Sequence, residues 1–225
     1  MKATPVSKFY KGLWMPGLCK HTGGVFLRTH TNRASQISLP SPCFMFEIKP
    51  STLSGCSEII FKRLDDVRGS FTKTFHVEAF ERLGINMPFK EEYFTWSHKN
   101  VFRGMHFQHP PKAIAKMVSC MYGRVTDYVV DIRHNSATYG EWVAFELDHL
   151  NPSMVFVPEG FAHGFYVHSD TALMQYKVSD VFDPVCDNGI AYTSFSFAKS
   201  LPQPVLSDRD KAFVAFKDYK SPFAL

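Results

Sequence analysis

The sequence predicts an all-β fold, a sandwich or barrel of the jelly-roll kind with a few short helices. Three observations lead there. From Met45 onward the chain is cut into short runs rich in β-branched and aromatic residues, with Gly, Pro, Asn and Asp between them. Six or more such runs follow one another without long helices in between, which argues against a parallel α/β sheet. The best helical stretch is a single short one. A jelly roll packs two sheets around an interior that can host a small-molecule site.

The elements follow in order. Residues 1–44 form a leader rich in Ser, Thr, Pro and Gly, with no helix or strand period. It holds Lys2, Lys8, Lys11, Lys20, Arg28 and Arg33 and no acidic residue, which only loosely matches a transit peptide. A disordered extension, or a segment upstream of the true start at Met45, is the expectation. Residues 45–225 are expected to be the folded domain. "MFEIKPSTLSGCSEIIFKRLDDVRGSFTKTF" begins to alternate and turn like a β protein. In "HVEAFERLG", Ala79, Phe80 and Leu83 share a helical face, and Gly84 stands at the C-terminal cap. The runs "NVFRGMHFQ", "AKMVSCMY", "RVTDYVVDIR", "EWVAFELD", "SMVFVPEGFAHGFYV" and "ALMQYKVSDVF" then read as strands. Period-2 geometry puts Val125, Asp127, Val129 and Asp131 on one face and Thr126, Tyr128 and Val130 on the other. A carboxylate between valines points Asp127 either into a cavity, where it needs a partner, or out at a sheet edge.

Composition removes several function classes. The formal net charge is +4, from 25 basic and 21 acidic residues. Taking the leader's 6 from the 25 leaves 19 basic against 21 acidic, so the folded part is slightly acidic and no nucleic-acid surface is expected. No apolar run approaches the ~20 residues that span a bilayer. The five cysteines are scattered without a CxxC pair, which points to a reducing compartment, with the cytoplasm as default.

Single residues carry little by themselves. His106 can be a core histidine, a metal ligand or a proton-transfer base. His109 is its one close companion, and the later "EGFAHGF" has a single histidine, too few donors for a metal site. His163 and Tyr176 read equally well as packing residues.

Together the motifs are specific. "RGMHFQ", "KMVSCMYGRVTDYVVDIRHNSATYGEW", "VPEGFAHGF", "QYKVSDVFDP" and "PVLSDRD", with "DDVRGSF" and "FERLG" upstream, occur in an order and spacing that resembles the dTDP-4-dehydrorhamnose 3,5-epimerase family. The resemblance runs from about Met45 to Lys211. It implies a cupin-like double-stranded β-helix, a homodimer, no metal or other cofactor, and a nucleotide-sugar substrate, dTDP-linked by analogy. It also implies roles: His106 as general base, Tyr176 as general acid, Asp210 as the carboxylate orienting the base, and Lys116 facing an enolate oxygen. His163 falls at a sugar-pocket position. Arg68 and Arg103 fall where the sugar nucleotide and its diphosphate are held, Phe182 where an aromatic ring stacks on the base, and Asp187 and Arg209 at further nucleotide-side positions.

Three departures stand out. Lys73 replaces a glutamate, the stretch Glu91 to Ser97 ("EEYFTWS") replaces a "Gln-x-Asn-His-Ser"-like segment, and Phe182 replaces a tyrosine. The first two touch substrate-contact positions, so the sugar, the nucleotide or the number of inverted centres is open. The rival readings are a 3,4-ketoisomerase, a non-catalytic sugar-nucleotide-binding module and a metal-dependent cupin oxygenase.

Overall fold

The computed structural model describes residues 45–224, so the expectations for the leader lie outside the described residues. The strands are β1 (Phe46–Pro50), β2 (Ser57–Phe61), β3 (Arg63–Asp66), β4 (Gly69–Thr72), β5 (Glu91–His98), β6 (Phe102–Gln108) and β7 (Lys116–Tyr122). After them come β8 (Arg124–Asp131), β9 (Trp142–Asp148), β10 (Ser153–Val157), β11 (Phe161–Val167), β12 (Thr171–Val178) and β13 (Asp187–Gly189). Two short helices, α1 (Val77–Arg82) and α2 (Asp208–Lys211), complete the set that matters here.

The strands pair antiparallel in a six-stranded sheet, β1-β2-β10-β7-β12-β5, and a five-stranded sheet, β13-β6-β11-β8-β9. Strands β3 and β4 form a separate hairpin. The expected strands are all present, and the "SMVFVPEGFAHGFYV" run divides at its Pro-Glu-Gly turn into β10 and β11. Strands β5 and β13 and helix α2 are additions.

Three apolar clusters follow from the alternation of side chains. The interior between the sheets takes Val118, Met174 and Tyr176 from one and Val125, Val129 and Phe165 from the other. The outer face of the five-stranded sheet gives Tyr128, Val130 and Tyr166, covered by Phe195, Phe197 and Phe223 of the C-terminal segment. This double cover explains why β8 is buried almost throughout instead of alternating buried and exposed. Outside the six-stranded sheet, Met117, Met154 and Ile59 pack under Ala79 and Phe80 of α1. That helix ends as the glycine predicts: Gly84 has φ +78°, its N–H reaches Glu81 O and the Ile85 N–H reaches Phe80 O.

Candidate active site

One cavity of about 330 Å³ opens between the sheets. Strand β6 supplies His106 to it and β12 supplies Tyr176, so the two expected proton-transfer groups come from opposite sheets. Lys116 of β7, His163 of β11 and Arg103 of β6 line it as well. The remaining lining includes Phe182, Asp187 and Arg209, so nine of the ten expected residues belong either to this cavity or, for Asp210, to the support directly behind it.

The histidine is placed by three local features. His106 pairs directly with His163 across β6 and β11, so both imidazoles leave the sheet on one face. The ladder slips between His163 and Phe165, where Gly104 and Gly164 let the two backbones meet. Gly104 has φ +148°, and a Cβ there would stand 2.6 Å from Gly164 Cα. Helix α2 then brings up the carboxylate. Ser207 caps it by accepting the Asp210 N–H at 3.1 Å, which turns the Asp210 side chain inward, 4% exposed.

Asp210 Oδ1 lies 2.9 Å from His106 Nε2, and its Oδ2 accepts the Gly104 N–H at 3.2 Å. With Nε2–H donated to a carboxylate, Nδ1 is left with the ring's free lone pair. Burial lowers the His106 pKa below its ordinary value despite the opposing pull of Asp210, so the ring is neutral near pH 7. Burial works against the Asp210 charge, yet the hydrogen bonds from His106 and Gly104 hold its carboxyl below the ordinary value. This is a neutral imidazole held in one tautomer by a buried carboxylate, the arrangement a proton-transfer base needs.

Lys116 is buried, donates from Nζ to His106 O at 3.1 Å, and is lowered by desolvation to about 8. Burial, then the neighbouring Tyr93 and Asp127, raise the Tyr176 phenol well above its ordinary value, so it stays protonated. At the other end Arg209 pairs with Asp187 at 2.5 Å, and Phe182 is 59% exposed with its N–H donated to Glu91. Arg103 is steered by Ser97, whose hydroxyl accepts its Nε–H at 2.9 Å.

Two residues expected at substrate contacts lie apart from this cavity, and a third expected residue gains a partner. Arg68 sits in the β3–β4 turn, bonded to Asp66 and with its side chain 86% exposed, and is not among the cavity-lining residues. Its neighbour Asp66 holds it there through a turn-length ion pair. Lys73, expected at a substrate-contact position, likewise lies past β4 and does not line the cavity. Of the two placements its valine neighbours left open, Asp127 takes the inward one. It is fully buried, with Oδ2 2.6 Å from His163 Nε2. Burial pushes its carboxyl up against the opposing pull of His163. Glu91, Tyr93 and Thr95, within the stretch expected at substrate contacts, enter the cavity from β5, while Gln108, Ile114 and Asp180 are lining residues the sequence did not point to. Among the described residues no group of three or more His, Cys, Asp and Glu side chains converges as a metal site needs.

Comparison with known proteins gives this cavity its context. The profile of the family described as dTDP-4-dehydrorhamnose 3,5-epimerase matches residues 50–218. The chain belongs to the dTDP-4-dehydrorhamnose 3,5-epimerase family. It is 41% identical over 150 residues to the dTDP-4-dehydrorhamnose 3,5-epimerase of Escherichia coli (strain K12), covering 65% of this chain and 81% of that one. It is 35% identical over 167 residues to the dTDP-4-dehydrorhamnose 3-epimerase of Streptomyces niveus, covering 73% and 81%. Among solved structures, the dTDP-6-deoxy-D-glucose-3,5-epimerase of Legionella pneumophila Philadelphia 1, in complex with dTDP-4-keto-L-rhamnose, superposes with a TM-score of 0.74 at 35% identity. That match covers 78% of this chain and 95% of the other. The two-sheet fold is therefore the cupin-like jelly roll of the 3,5-epimerases, and the protein is an isomerase of the epimerase kind.

Proposed function

We propose that the chain epimerises a dTDP-linked 4-keto-6-deoxy sugar at carbon 3, carbon 5 or both, by way of an enolate. The observation that carries this reading is His106 on one sheet, backed by Asp210 of α2, facing Tyr176 and Lys116 on the other sheet across a single cavity. Hydrogens on the carbons flanking the C4 carbonyl are weakly acidic. His106 Nδ1 takes one, and the C–H electron pair moves to make the enolate, with negative charge on the C4 oxygen. The Lys116 ammonium, in a site shielded from water, stabilises that charge. Tyr176 then gives its phenolic proton to the same carbon from the opposite side, and both groups re-equilibrate with solvent. Inversion needs an acid and a base on opposite faces, each within about 3 Å of the carbon it serves.

Further assignments rest on the same reading. Arg103, His163, Phe182, Asp187 and Arg209 hold the nucleotide sugar. Phe182 offers a ring face to the base, and the arginine forks suit phosphate oxygens. Arg68 is proposed to contact the diphosphate only from outside its own chain's cavity. No cofactor is required, because every step moves a proton. The catalytic domain is residues 45–225, supported by an interior that runs from Met45 to Phe223. A homodimer is supported by exposed aromatics on β5, and a cytoplasmic setting by the buried free thiols of Cys56, Cys120 and Cys186.

The test is proton exchange in deuterium oxide with dTDP-4-keto-6-deoxyglucose, followed by NMR. Deuterium at carbons 3 and 5 with inversion at both is expected from a 3,5-epimerase. Label at one carbon marks a single-centre enzyme, a reading favoured by the Streptomyces niveus relative and by the altered Glu91–Ser97 stretch. His106→Ala is expected to abolish exchange while dTDP binding persists. Exchange at the normal rate in that variant would sink the base assignment.

A further inference from the structure

We propose that Tyr93 is a positioning residue for the reprotonating acid, its ring holding Tyr176 in the orientation from which the proton is delivered. The inference rests on the reading of Tyr176 as that acid. Tyr93 and Tyr176 are direct cross-strand partners on β5 and β12. Their rings lie 4.8 Å apart and are inclined by 16°, a stack. The His163 ring meets Tyr176 edge-on at 6.1 Å and 79°. The acid is thus gripped by a parallel face from β5 and an edge from β11.

A tyrosine's hydroxyl oxygen lies on its χ2 axis, so its position is set by χ1 and by how far the ring leans within that well, which burial alone does not fix. Stacked aromatic pairs are favourable and directional, and this one removes the freedom that remains. Delivery to a single carbon is sensitive to such freedom, since a misplacement of about 1 Å costs ~100-fold in rate. Tyr93 is also placed where packing does not require an aromatic ring. It is 38% exposed on the edge strand of its sheet, and it lines the cavity beside Tyr176. What it offers Tyr176 is a ring face, so its own hydroxyl is dispensable. Burial, with Glu91 and Asp187 nearby, pushes that hydroxyl up to about 12, which keeps the stack uncharged.

The test compares Tyr93→Phe, Tyr93→Leu and Tyr93→Asn in deuterium oxide with dTDP-4-keto-6-deoxyglucose. The quantity read is inversion per exchange event, which general loosening of the fold would not move because it slows both steps. Leu and Asn are expected to lower this ratio about tenfold, the scale of a sub-ångström misplacement. Phe, which keeps the ring face, is expected to stay within about twofold of the parent. Parallel loss of exchange and inversion in Leu and Asn, or no change in either variant, would overturn the inference. So would a loss in Phe equal to that in Leu, because the hydroxyl and not the ring would then matter. Tyr176→Phe run alongside separates the two levels. If it leaves inversion intact, the acid assignment itself fails. If it uncouples inversion from exchange and Tyr93→Leu does not, only the role of Tyr93 fails.

Discussion

His106 and Lys116 are lowered by the same cause, and their lowered values act on opposite limbs of a pH profile. Burial disfavours the charged form of each. In the proposed mechanism the base works when neutral, so kcat/KM is expected to rise as pH climbs through the His106 value, which is lowered from the ordinary histidine value. The role proposed for the lysine needs its charged form, so activity is expected to fall as pH climbs through about 8. Tyr176 stays protonated throughout and adds no limb. The profile is therefore a bell. Lys116→Met is expected to cost roughly 10²–10³ in kcat, as for loss of one oxyanion-stabilising group, and to erase the alkaline limb. A steady-state pH series on both proteins checks this, and an alkaline limb that survives the substitution assigns it elsewhere. The residue scale is also where sequence reading reached furthest by physics alone. The valines that flank Asp127 on one strand face left it as either a cavity carboxylate or an edge one, and the structure decides for the interior. Its partner was not legible, because His163 lies on a neighbouring strand whose register the sequence does not state.

At the scale of elements, the proposed catalytic pair hangs on a helix of four residues. Ser207 accepts the Asp210 N–H, and that turn aims the carboxylate at His106. Ser207→Ala is expected to cost about 1 kcal/mol of stability, the usual effect of losing a cap. Its effect on kcat is expected to be larger in proportion, about tenfold, because His106 loses its fixed tautomer. Thermal unfolding and kcat measured on one preparation separate the two. The Ser-x-x-Asp spacing in "LSDRD" is a capping signature, so α2 was readable in principle, though four residues carry no hydrophobic period. Strand β5 was harder for a different reason. Tyr93 and Thr95 face the cavity while Phe94 and Trp96 face outward, so aromatics occupy both sides and the alternation that marks a half-buried strand is absent. Strands β6, β7, β8, β11 and β12 lacked this ambiguity, being bounded by Gly, Pro, Asn or Asp and rich in β-formers.

At the scale of the whole molecule, the outward aromatics of β5 are a surface in search of a cover. Phe94 is 71% exposed and Trp96 52%, and Tyr122 of β7, 51% exposed, stacks on Trp96 at 6.3 Å. Strand β5 is also the last strand of its sheet, so one row of its backbone groups has no ladder partner in that sheet. An exposed aromatic edge strand is a template for unwanted pairing unless a specific partner covers it. In the proposed homodimer a second copy of this chain would meet that need with an isologous contact, the commonest symmetry of soluble oligomers. A stable contact of this kind buries roughly 1,200–2,000 Å² in total, with aromatic side chains at its centre. Replacing Phe94 with Lys and Trp96 with Glu together puts charges where such a centre must be dry. Light scattering behind size exclusion is expected to give twice the chain mass for the parent and the chain mass for the double variant. A parent that elutes as a monomer removes the dimer from the proposal. A double variant that stays dimeric moves the interface to another face, and β5 then keeps only its cavity-side role, presenting Tyr93 to Tyr176.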